Sequence, residues 1–234
     1  MRRKELIVLL GITALVAFGA INVHASGYAI VEQGVRGLGT AYAGAAALAE
    51  DPSTIFYNPA GLVRLSGKQV EGGIHYIVPK AEYKDKGSTT VLTTALTGGD
   101  GGDGGEAALV PNLYYSQQLS DRMVVGLGIH APFGLATKYD REWVGRYHAV
   151  ESKLATININ PTAAVRINDQ WSVGAGLSIE YAEATLSNKA DLGTLGQLPP
   201  FNGALGGTPQ SDDAFAEVEG DDWSYGFNIG FMFE

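Results

Sequence analysis

The chain has no cysteine among its 234 residues, which excludes a disulfide framework and a thiolate metal site. Basic residues are scarce: 16 Lys and Arg stand against 25 Asp and Glu, for a net charge of −9. The acidic balance argues against a nucleic-acid partner, which would need a basic face. Long apolar runs are missing after residue 25, so the chain beyond that point has no segment that could cross a bilayer as a helix. Glycine is abundant, at 32 residues, but follows no collagen-like period.

What is present begins with an export signal. Arg2, Arg3 and Lys4 form a basic start, Leu6 to Phe18 is apolar, and Val23-His24-Ala25 is a small-x-Ala exit. This reads as a signal peptide over 1–25 with Ser26 as the mature start, in preference to an uncleaved anchor. No cysteine follows the apolar region, so the protein is not a lipoprotein. An exported soluble protein or a β-barrel of the outer membrane remains.

Period-two alternation separates these two. Trp171, Val173, Ala175, Leu177, Ile179 and Tyr181 alternate with Ser, Gly and Glu. Trp223, Tyr225, Phe227, Ile229, Phe231 and Phe233 alternate mainly with Ser, Gly and Asn. Similar patterns run over 157–167 and 123–130, with weaker ones over 68–83 and 109–119. A soluble sandwich alternates too. Strands of ten or more residues, few charges on the second face and aromatics at strand ends favour an antiparallel transmembrane β-barrel, all-β in class. Tight turns at 119–123 and 167–171 predict the periplasmic end, and long connections at 84–106, 134–150 and 187–220 the outer end. The acidic run Asp212–Asp222 then falls on an outer loop, read as solvated rather than as a divalent-ion site. About six strands are visible where single-chain barrels start at eight, and Glu234 directly follows an apolar strand. The expectation is a fragment: 26–67 at the mouth or in the lumen, and 68–234 as the first part of a barrel.

The stretch SGYAIVEQGVRGLGTAYAGAAALAEDPSTIFYNPAGL, residues 26–62, resembles the N-terminal hatch of the FadL and TodX family of outer-membrane transporters for hydrophobic compounds. VPNLYYSQQLSDRMVVGLGIHAPFGLATKY, AAVRINDQWSVGAGLSIEYAEATL and DDWSYGFNIGFMFE are similar to it as well. The resemblance implies a fourteen-stranded barrel plugged by its hatch (residues 26–67 here), with a hatch turn at Asn58, Pro59 and Ala60. Read by itself, Asn-Pro-Ala is an ordinary turn, with Pro59 holding Asn58 extended and the small Ala60 and Gly61 allowing close packing. The resemblance also implies a kink in the third strand that opens the wall, matched here by Pro132, Phe133, Gly134, Leu135, Ala136 and Thr137. Pro132 lacks an N–H and Gly134 relaxes the backbone, while the turn at 120–121 places Pro111 opposite about Ala131. The alternative is that both prolines mark strand ends.

For a ligand head group the resemblance implies a basic residue near the end of strand five, and Lys189 is the candidate. His75 and His130 share the inward parity, and they read as lumenal histidines rather than a metal pair. No catalytic constellation, metal site or cofactor is expected. The reading is a passive channel for hydrophobic small molecules such as long-chain fatty acids or aromatic hydrocarbons, in contact with outer-membrane lipids, without nucleic acid, and monomeric at full length. A general porin or a structural barrel are alternatives, with an outer-membrane lipid hydrolase behind them.

Overall fold

The computed structural model describes residues 28–204 and 207–234; the signal peptide read at 1–25 lies outside them. The chain from residue 68 onward forms one antiparallel sheet: β1 (Lys68–Ile77), β2 (Ala108–Ser120), β3 (Met123–His130), β4 (Gly134–Lys138), β5 (Glu151–Arg166), β6 (Trp171–Asp191) and β7 (Asp213–Phe233). The order is β1-β2-β3-β5-β6-β7, with β4 continuing β3 and, of the strands, pairing with β5. Six ribbons thus appear as seven strands, because Pro132 interrupts the third.

The alternation that marks the strands also sets their faces. On β7, Trp223, Tyr225, Phe227, Ile229, Phe231 and Phe233 are 51–80 % exposed and share the outward side. Tyr181 meets Trp223 at one end of this band, with ring centroids 5.2 Å apart, and Trp171 meets Phe233 at the other, at 4.9 Å. Ten residues at about 3.3 Å each, tilted by about 40°, span roughly 25 Å, the height of a lipid-facing apolar band. The two aromatic pairs are therefore its upper and lower girdles.

Strands run further than the greasy pattern shows. β5 starts at Glu151, β6 reaches Asp191 and β7 starts at Asp213, so most of the acidic run 212–222 lies on a strand and not on a loop. Glu217, Glu219 and Asp221 point outward above Trp223, where water replaces lipid and apolar alternation has no reason to continue. β1, in contrast, stops at Ile77.

The short turns use local side-chain bonds. Asn168 Oδ1 accepts from the N–H groups of Gln170 and Trp171 at 2.9 and 2.8 Å. At the other short turn, Ser120 Oγ accepts from Arg122 N at 3.3 Å.

Residues 28–67 lie against the inward face. They hold a 3₁₀ helix at Arg36–Thr40, two one-turn helices, α1 (Ala45–Leu48) and α2 (Thr54–Tyr57), and a second 3₁₀ helix at Pro59–Arg64. Ile55, Leu62 and Leu65 from this segment pack with Tyr114, Val124 and Ala164 of the wall. The core therefore lies between segment and sheet, and glycines make the approach possible. A Cβ at Gly126 would meet the Ile55 side chain.

Candidate functional site

The Asn-Pro-Ala turn docks near the short-turn end. Asn58 is extended, at φ −160° and ψ 100°, as a residue before proline should be. Its Oδ1 caps the 3₁₀ helix by accepting from Ala60 N at 3.1 Å, with Pro59 in the first position, where no N–H is needed. Its Nδ2 donates to Ala46 O at 2.8 Å and to Phe231 O at 3.2 Å, tying the turn to α1 and β7. Pro59 and Ala60 are buried against Gly174. Arg166 donates to Val63 O at 3.1 Å, and Arg64 pairs with Glu234 at 2.6 Å. Inside the segment, Asp51 accepts from Ser53 N and Oγ. Burial raises its pKa, and hydrogen bonding to Glu71 and Ser53 outweighs this and holds it below the usual carboxylate value.

The third ribbon is the second focus. The β2–β3 ladder ends at Leu113↔Ile129, so Pro111 keeps only its β1 partner, Ile74. The β3–β5 ladder ends at His130↔Asn158 and resumes at Gly134↔Ala155, one residue out of step, which is a bulge. Thr156 spans this step: its Oγ1 accepts from Phe133 N at 3.0 Å and donates to Phe133 O at 2.9 Å. On the β2 side the N-terminal segment takes over. Ile30 N donates to Pro132 O at 2.9 Å, Gly134 N donates to Tyr28 O at 3.1 Å, and Ala29 pairs with Phe133. Gln33, fully buried, donates from Nε2 to Ala131 O at 2.8 Å. Higher still, residues 104–106 bond Ala136 O and Lys138 N. One edge of the third ribbon is therefore covered by β2, then residues 28–30, then an outer loop. An exposed backbone group in lipid must be satisfied internally, and here the covering piece is not a strand of the sheet.

The interruption lies high in the wall. Thr156 and Ile157 are level with Ala182 and Tyr181, so Pro132 and Phe133 sit at the upper girdle. Ala136 pairs with Lys153, above the point where residues 28–30 bind, and Leu135 and Thr137 accompany it on β4. Of the residues singled out for a kink, Pro132, Phe133 and Gly134 are thus the ones in contact with the N-terminal segment. Thr156→Val would strip Phe133 of both bonds, at about 1–3 kcal/mol for a buried unpaired group. The expected result is a lower temperature for the heat-induced mobility shift of the purified barrel, with the strand content unchanged by circular dichroism.

Lys189 lies at the outer end. Its ammonium contacts Glu142 closely and lies 3.8 Å from Asp213. Beside it stands Arg146, which sequence reasoning missed and which is 2 % exposed. Arg146 pairs with Asp213 at 2.9 Å and donates to Thr97 O, Trp143 O and Tyr147 OH. Tyr147 OH donates to Asp213 at 2.8 Å; burial first, and then the Asp213 contact, raise its pKa. This clasp joins the connections after β1 and β4 to the start of β7. No local motif announces Arg146, because its partners lie 49 and 67 residues away. Breaking a buried pair from one side costs about 3–5 kcal/mol. Arg146→Ala is therefore expected to make the outer connections protease-sensitive in intact cells while the wall still assembles.

The inward faces of β1, β2 and β3 carry buried polar side chains without partners among the described residues: His75 Nε2, both amide atoms of Asn112, Tyr114 OH, Ser116 Oγ and His130 Nδ1. Tyr114 and His130 stack at 5.7 Å, and Phe56 lies edge-on to His130 at 5.2 Å. Ser116 pairs with Gly126, four residues from His130 along β3, and no hydrogen bond joins the two side chains. Among the described residues no group of three or more potential metal ligands converges.

The family pattern described as outer membrane protein transport protein (OMPP1/FadL/TodX) matches residues 16–234. Outer membrane protein NMB0088 of Neisseria meningitidis serogroup B is 34 % identical over 99 % of the chain and 50 % of its own length. A long-chain fatty acid transport protein of Escherichia coli O6:H1 is 29 % identical over 100 % of the chain and 53 % of its own length. The crystal structure of a Pseudomonas aeruginosa FadL homologue superposes with a TM-score of 0.80 at 24 % identity, covering 89 % of this chain and 50 % of that one, and shows the same fold. The chain spans about half the length of the curated relatives it matches.

Proposed function

The chain belongs to the OMPP1/FadL/TodX family of outer membrane transport proteins, and from that premise we propose that it forms the hatch and first strands of a passive channel for hydrophobic molecules. Residues 26–67 act as the hatch and 68–234 as the first part of the barrel. The molecules carried are long-chain fatty acids or aromatic hydrocarbons, captured from the outside and released sideways into the bilayer through the third ribbon. The supporting observation is the substitution of residues 28–30 for β2 beside Pro132 and Phe133. A wall sealed by a detachable segment can open without unravelling the sheet.

The physics favours sideways release. Each methylene leaving water gains about 0.8 kcal/mol, so an apolar solute moves from the lumen to lipid downhill, whereas a watery exit opposes it. A carboxylate head would use Lys189 by taking the place of Glu142, which is the exposed one of its two acidic partners. Opening at the upper girdle delivers the molecule to the outer leaflet. Hydrolysis is the weaker reading, since Ser116 and His130 are not hydrogen-bonded to each other. A general porin would instead call for rings of opposite charge on the inner wall.

The test is uptake of a radiolabelled long-chain fatty acid and of toluene by cells expressing the whole protein, with surface abundance measured in parallel. Uptake above that of cells lacking it is expected for at least one of the two. Equal leakage of small sugars and apolar probes would point to the porin reading instead.

A further inference from the structure

The pairings place one row of inward side chains at a single height. His130 pairs with Asn158, Asn158 with Glu180 and Glu180 with Ser224, while Asn112 stands on β2 where the ladder register continues opposite His130. Asn158 Nδ2 donates to Glu180 at 3.1 Å. The rest of the row is unspent: both amide atoms of Asn112, Nδ1 of His130 and Oδ1 of Asn158 have no partner among the described residues. Asn112, His130 and Asn158 are each at least 95 % buried. Tyr114, one row below, adds an unpartnered hydroxyl. This row lies directly beneath Pro132 and Phe133.

We propose that this belt is a hydrogen-bonding site for an uncharged polar group on the transported molecule, so that among molecules of one apolar skeleton the hydroxylated form passes faster than the bare hydrocarbon or the carboxylate, which the channel also carries. The inference rests on the transport reading above. Amides and an imidazole offer donors and acceptors together, which suits a hydroxyl. The one charge in the row is Glu180, which repels a carboxylate. Among the described residues no Lys or Arg shares the inward parity at this height; Arg166, near the short-turn end, is bonded to Val63. A polar group moving from water toward the opening loses its hydration, and the belt supplies replacement bonds at that point. In the present conformation Phe56 lies against His130 and Val35 covers Gly73, the neighbour of Asn112. The site is reached when these two side chains withdraw.

The experiment compares uptake of naphthalene, 2-naphthol and 2-naphthoate, three probes with one ring system, by cells expressing the whole protein or its Asn112→Leu or His130→Phe variant. A neutral hydrogen bond corresponds to a factor of roughly two to ten. The wild type is expected to take up 2-naphthol that much faster than naphthalene, and faster than 2-naphthoate. Each variant is expected to bring the naphthol-to-naphthalene ratio close to one. Reading a ratio removes differences in expression, and two variants guard against one failing to fold. Naphthalene uptake with no naphthol preference in the wild type, or a preference that survives both substitutions, overturns the belt while leaving the transport reading in place. No uptake of any of the three probes at normal surface abundance overturns the belt, and the transport reading falls with it when the fatty acid and toluene are excluded as well.

Discussion

Joining residues 29 and 133 by a disulfide is expected to stop uptake of apolar compounds, and reduction to restore it. Ala29 and Phe133 face each other across bonds from Ile30 N to Pro132 O and from Gly134 N to Tyr28 O, which makes them a non-hydrogen-bonded antiparallel pair. Such pairs bring their Cα atoms to about 4.5 Å, close enough for a disulfide. The chain has no cysteine of its own, so Ala29→Cys with Phe133→Cys forms one defined link. A covalent bond between the two residues that must part forbids the opening outright, so uptake through this route is expected to fall to background. Uptake measured in oxidised and reduced cells decides the matter. Unchanged uptake in the oxidised double variant, with the link verified by mobility, would place the route somewhere other than the third ribbon.

A second large effect is expected from filling Gly174. A Cβ there would run into the backbone of Pro59 and Ala60, which cannot swing away as a long side chain can. Gly174→Leu therefore sets the 3₁₀ helix at Pro59–Arg64 against β6. Overpacking typically costs about 1–3 kcal/mol, and lifting the turn also endangers the Asn58 bonds to Ala46 and Phe231. The segment is expected to leave its place while β6 keeps its pairing with β5 and β7. Two measurements follow: new protease cleavage within 28–67 from the periplasmic side, and increased entry of small polar antibiotics. Wild-type cleavage and wild-type permeability would mean that the segment tolerates the side chain and that docking at Gly174 is not what seats it.

How much of this was legible in the sequence depended on whether a local rule applied. The β7 band from Trp223 to Phe233 could be read directly, because lipid on one side and lumen on the other impose strict alternation. The upper part of the same strand could not, because above Trp223 both sides face water and Glu217, Glu219 and Asp221 are as welcome as any apolar residue. The same cause hid the start of β5. Pro132 announced an interrupted strand, but the count of ribbons hid a seventh strand because β4 merely resumes the third. The role of Tyr28–Ile30 beside Phe133 left no trace in those residues, since any short extended peptide can donate and accept two backbone bonds. The Asn58 turn was legible in kind, through the proline rule, and its partners on β7 were not. Arg146 illustrates the limit: a buried cation is visible only once the chain has brought Thr97 and Asp213 to it.

The bonds that seat the N-terminal segment also set a timetable. Gln33 reaches Ala131 across 98 residues, and Asn58 reaches Phe231 across 173. Contacts at such separations form late, because the loop they close must first lose its freedom, whereas the β2–β3 and β5–β6 hairpins of the wall close over short turns. The part of the chain that is made early is therefore seated only after β7, the latest of its partner strands among the described residues, has arrived. Wall and stopper should then appear as separate kinetic phases during assembly, with the amides of Ile30 and Gly134 acquiring protection from hydrogen exchange together and after those of β3. A wall built in this order is open before it is ever closed.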